Sequence, residues 1–171
     1  MSEKNSQSKP AHYDLISLIE LEQDTIFEKL TELEKYAWRI EKSGVIGEIY
    51  ETIKSLNEYI FNDVSRYFTL EEDLLLPELE RVMPNHSSSA VMKEEHAMIL
   101  NICSMLNKML EDKEGAEREK DTLQAEIISL VDVLQRHIHK KNHVLYHEVQ
   151  PKLSDELQKE IYLKMVQKIN S

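Results

Sequence analysis

Six polar side chains fall where helical spacing asks for apolar ones: Gln23, Tyr67, Glu71, His96, His137 and Lys141. Gln23 stands between Ile19 and Ile26, and Tyr67 and Glu71 between Val64 and Leu74. His96 stands between Met92 and Ile99, and His137 and Lys141 between Leu134 and Val144. Two imidazoles and a carboxylate arriving from three helices make a donor set for a metal ion. An unpaired buried charge is costly, so these groups need partners, water or an ion. Without an ion the same residues would form a polar network, with Glu71 paired to Lys141, and Tyr67 and Gln23 bonded to His96 or His137.

The elements that must position them are helices. The 171 residues contain only 3 Gly and 4 Pro, against 41% hydrophobic and 31% charged residues. Few breakers and many Leu, Ile, Glu and Lys specify long helices with short connections. One seam runs through Ile16, Ile19, Ile26, Leu30, Leu33, Ala37 and Ile40, and Ser43-Gly44 ends it. A second runs through Ile49, Ile53, Leu56, Ile60, Val64 and Leu74 and stops or bends near Pro77. A third is Met92, Ile99, Cys103, Leu106 and Leu110, closing around Gly115. The fourth is Leu123, Ile127, Leu130 and Leu134, continuing to Val144 or Leu145 and ending before Pro151. All follow the three-four spacing of a helix packed lengthwise on others.

The fold class is therefore all-α: an antiparallel up-down-up-down four-helix bundle with a shorter C-terminal fifth helix capped by Ser154 and running to Ile169. Residues 1–9 read as a flexible tail, with Pro10 suited to a first helical turn. Residues 10–152 are the bundle, and 153–171 the accessory helix. Counted at about 1.5 Å per residue from the turns, the six polar groups share one layer to within a turn or two. His12 lies roughly 16 Å from Gln23 and too far to join.

Composition narrows the function classes. A net charge of −11 opposes a nucleic-acid partner, since phosphate neutralisation needs a Lys/Arg surface. No apolar run reaches the roughly 20 residues of a bilayer span, and no signal-peptide stretch is seen, so no membrane partner is expected. A lone Cys103 cannot form an internal disulfide, which fits a cytoplasmic location. Cys103 itself reads as core filler.

The polar layer also reveals an internal repeat. Glu22-Gln23-Asp24-Thr25-Ile26 aligns with Glu95-His96-Ala97-Met98-Ile99, and the stretch from Tyr67 to Leu75 aligns with His137 to Leu145. Two helical hairpins would each supply half a site. At this point the sequence resembles the hemerythrin-like (HHE cation-binding) family over about residues 12 to 152. The resemblance rests on EQDTI (22–26), YFTLEEDLLLP (67–77), EEHAMI (94–99) and HIHKKNHVLYH (137–147). That family reads E-H-x-x-I on its first and third helices and H-F-x-x-E-E or H-I-x-K-E on its second and fourth.

What the resemblance implies is a core that holds iron. Matched position by position, Glu71, His96 and His137 keep the family's ligands. Gln23 and Tyr67 stand where histidines are expected, and Lys141 where a second bridging carboxylate would be. Leu100 occupies the place of a further ligand that many members carry one turn after the third-helix histidine. An ammonium at 141 would repel two cations, so a dinuclear oxygen-carrying centre is not expected. One Glu and two His are the ligand set of a mononuclear Fe(II), Mn(II) or Zn(II) site. Tyr67 could add a phenolate favouring Fe(III), and Lys141 would have to swing away or lose its proton.

The reading is a binding module rather than an enzyme. It holds one non-haem iron-type ion, with zinc or manganese as alternatives, and Gln23, Tyr67 and Lys141 surround the ligands. The family implies iron, oxygen or nitric oxide handling, so a small diatomic ligand is an expected partner. One alternative is haem held by His96 and His137, with Tyr67 nearby, although Phe68, Leu100 and Leu145 narrow the cleft. Another is a metal-free interaction module with Glu71–Lys141 in place of the centre. The stripe His139, His143 and His147 lies about 200° from the seam and reads as a solvated face. Trp38 is expected to pack near one end of the bundle.

Overall fold

The computed structural model describes residues 14–84 and 88–171. The tail expected at 1–9, Pro10, His12 and the turn residues 85–87 lie outside the described residues. No strand occurs among the described residues. The long helices are α1 (Leu15–Ser43), α2 (Tyr50–Leu70), α4 (Ser88–Met109) and α6 (Lys120–Val144), with shorter α3 (Leu76–Val82), α5 (Lys113–Arg118) and α7 (Asp155–Ile169). α1 packs on α2 and α6, and α4 packs on the same two, so the four long helices close a ring around one core.

The helix ends follow local chemistry. Extended Asp14 caps the first helix at Leu15, its carboxylate accepting from Ser17 N–H at 3.0 Å. Gly44 ends it in the left-handed region (φ 66°), which glycine adopts without a Cβ clash, and its N–H bonds Ile40 O at 2.8 Å. Ser154 caps α7 through Leu157 N–H. α7 buries Ile161 and Met165 and packs on α1 and on the turn that follows α2. Trp38, expected to pack, instead stands 47% exposed.

Every apolar seam residue expected from the first to the fourth helix is buried, except Leu74. The exception has a cause. Residues Glu71–Leu75 form a π-helical turn, in which Leu76 N–H reaches five residues back to Glu71 O. Leu145–Val149 does the same, with Gln150 N–H bonded to Leu145 O. Each π turn precedes a proline, Pro77 or Pro151, whose ring would otherwise meet the carbonyl four residues back; the wider turn accommodates it. The chain therefore passes Pro77 and continues as α3 instead of stopping there. One extra residue rotates everything downstream by about 100°, so Leu75, Leu76 and Leu79 face the core and Leu74 is only half-buried.

This rotation is testable by truncation. Leu75→Ala should cost about 2–5 kcal/mol of unfolding free energy, whereas Leu74→Ala should cost under about 1 kcal/mol. Chemical denaturation of both variants measures the difference, and equal costs would contradict the π turn.

Candidate metal centre

The six polar residues meet in one layer. α1 supplies Gln23, the last turn of α2 supplies Tyr67, and the π turn opens with Glu71. α4 supplies His96, and α6 supplies His137 and Lys141. All six are buried, and Glu71 is 0% exposed.

Two halves can be distinguished. On one side, Lys141 Nζ donates to Glu71 Oε1 at 2.5 Å and to the Tyr67 hydroxyl oxygen at 2.9 Å, lying 4.3 Å from that ring's centroid. Gln23 Nε2 donates to the same hydroxyl at 3.2 Å, and Gln23 and Asn142 exchange two amide hydrogen bonds of 3.0 Å each. Tyr67 and Gln23 thus bond to the lysine side of the layer and to Asn142, not to the histidines as the metal-free network anticipated. Lys141 neither swings away nor stands alone.

On the other side lie the imidazoles. His96 Nδ1 is 2.7 Å from Glu72 Oε1, and His137 Nδ1 is 2.8 Å from Glu95 Oε2. Lys140 Nζ donates to the other Glu95 oxygen at 2.6 Å. A carboxylate only accepts, so each Nδ1 donates outward to its glutamate, and each ring turns its Nε2 inward. Phe68 stacks on His96 at 3.8 Å and 9°, and the two imidazoles meet edge to face at 4.9 Å.

Among the described residues, four buried side-chain polar atoms lack a hydrogen-bond partner. One is Asn57 Oδ1; the other three are Glu71 Oε2, His96 Nε2 and His137 Nε2. These three residues are also the group whose donor atoms lie within 4.8 Å of one another. His96 Nε2 stands 3.2 Å from Glu71 Oε2, so two lone pairs face each other unless a cation or a proton comes between. Coordination by all three at about 2.0–2.2 Å needs donor spacings of roughly 3–4 Å, a small contraction. The donor set fits a mononuclear ion.

A sequence model of the hemerythrin HHE cation-binding domain matches residues 14–159. The chain belongs to that family. No curated protein and no solved structure matches it. Within this hemerythrin domain the haem alternative fits poorly: the imidazoles are too close, and Phe68 fills the space that a porphyrin would take. His139, His143 and His147 are exposed, as a solvated face requires.

The electrostatics follow from burial and neighbours. Burial alone would raise the Glu71 carboxyl, but the Lys141 ammonium and the contact with His96 outweigh it and bring it down to about 2. Burial pulls Lys141 below its usual range against the opposing pull of Glu71. Burial, with Glu71 beside it, pushes Tyr67 well above its ordinary value, so in the metal-free domain it is a neutral phenol. Burial lowers His137 to about 4, leaving it neutral at pH 7. Spacing along the seams missed Glu72, Glu95 and Asn142. Each sits one residue from a seam position, the only available signal, and each is only partly buried.

Two outcomes follow for the metal-free domain. Lys141→Met and Glu71→Gln should each destabilise by about 3–5 kcal/mol, since each leaves an unmatched buried charge. The double variant should cost much less than their sum, as a double-mutant cycle of denaturation free energies will show. The second outcome concerns acid. His137 has a folded pKa below its unfolded value, so its contribution is complete above about pH 6.5 and is lost as pH falls towards 4. That loss is roughly 3 kcal/mol. Glu71 extends the loss from about pH 4.5 towards 2. Denaturation at stepped pH should show both phases, and His137→Gln should flatten the upper one.

Proposed function

We propose that this hemerythrin domain holds one divalent non-haem ion through Glu71 Oε2, His96 Nε2 and His137 Nε2. Iron ranks first, with zinc and manganese as alternatives. The host is an antiparallel four-helix bundle over 10–152, with 153–171 as an accessory helix. The observation that carries the reading is a coincidence: the three residues whose donor atoms converge supply three of the four buried side-chain atoms left without a hydrogen-bond partner among the described residues. Each donor residue is held from behind by a different group, Glu71 by Lys141, His96 by Glu72 and His137 by Glu95. Such outer partners fix ring tautomers and carboxylate orientation in metal sites.

When bound, the ion supplies a Lewis-acidic centre with open coordination positions. Everything else is done by the chain. Glu72 and Glu95 keep both Nε2 lone pairs inward, while Tyr67, Gln23 and Asn142 hold Lys141 in place. One ion rather than two follows from charge, because Lys141 stands where a second cation's carboxylate would be. Sensing or handling of iron, oxygen or nitric oxide in the cytoplasm is the role that suits a single open centre. The close Glu71–Lys141 pair favours a second reading, a metal-free interaction module in which the pair replaces the ion.

Elemental analysis and anomalous diffraction of protein purified from its native host separate these readings. The metal reading expects one core ion per chain and no Soret band. Glu95→Gln should weaken affinity by about 10–100-fold through His137 alone. Two tightly held core ions, or none, would refute it.

A further inference from the structure

The layer carries a positive charge of its own that no ligand role uses. Lys141 Nζ is fixed by Glu71 Oε1, by the Tyr67 oxygen and by its position over the Tyr67 ring. Gln23 braces that hydroxyl in turn, and Asn142 braces Gln23. Among the described residues, Glu71 is the one carboxylate inside the layer. Glu72 and Glu95 sit further out, at 40% and 24% exposure, and face the Nδ1 side of the rings.

We infer that Lys141 determines the charge state of the ion this site accepts, holding it for a divalent cation against a trivalent one. The inference rests on the metal reading above. The ammonium lies one carboxylate away from the donor atom Oε2. For a separation of roughly 6 Å and an effective dielectric of about 20, a third unit of charge on a bound ion would meet an added repulsion worth roughly a hundredfold preference for the divalent form. The hydrogen bond to Oε1 acts in the same direction, because it draws electron density from the only anionic donor. Tyr67, whose phenolate would attract a trivalent ion, is occupied by Lys141 and Gln23. A buried lysine thus acts as a specificity-determining group through Glu71 without touching the ion.

The test loads the full chain with Fe(II) anaerobically and reads affinity by calorimetry and the Fe(III)/Fe(II) midpoint potential by spectroelectrochemistry. Lys141→Gln removes the charge but keeps a donor for Glu71. It should shift the Fe(III):Fe(II) affinity ratio about a hundredfold towards Fe(III), which is about 120 mV lower at 59 mV per tenfold. Lys141→Arg keeps the charge and should restore the parent potential. The parent alone gives a further readout that needs no variant: Zn(II) bound to it should resist displacement by excess Ga(III). An unchanged potential in a Lys141→Gln protein that still binds Fe(II), or ready displacement of Zn(II) by Ga(III), overturns this inference alone. A parent that binds no Fe(II) or Zn(II) overturns the metal reading and this inference with it.

Discussion

A carboxylate and an ammonium 2.5 Å apart, both fully buried, make each the other's main compensation for lost hydration. Much of the layer follows from that contact. It ties the end of α2 to α6 and fixes their relative height. It places Tyr67 where its hydroxyl can accept from the lysine and also from the amide of Gln23 on α1. It also leaves Glu71 with one engaged oxygen and one free oxygen, which is why a single carboxylate can belong both to an ion pair and to a donor set.

The seams were legible wherever the helix kept its ordinary pitch. Ile16 to Ile40 and Leu123 to Leu134 follow the three-four rule and are buried as that rule requires. Reading failed at Leu74, because a π turn changes the residue count per turn without changing the residue types. Prolines at 77 and 151 mark both widened turns, yet a proline in sequence equally signals a kink or a stop.

The site divides in the same way. The inner residues interrupt an apolar pattern, and that interruption is what a sequence can display. Glu72, Glu95 and Asn142 lie beside seam positions, where polar residues are the rule, so nothing sets them apart. Partner choice was legible for Glu71 and Lys141 but not for their neighbours. Spacing puts Tyr67 and Gln23 in the layer, but side-chain reach decides that they meet Lys141 and Asn142 rather than the imidazoles.

The mutual bracing of Gln23, Tyr67, Asn142 and Lys141 makes the four side chains interdependent. Placing Glu at 141 alone would set two carboxylates together, and placing His at 67 alone would remove the acceptor that Lys141 uses. A substitution at one member thus strands a partner at another, so the four positions tolerate change together more readily than one at a time.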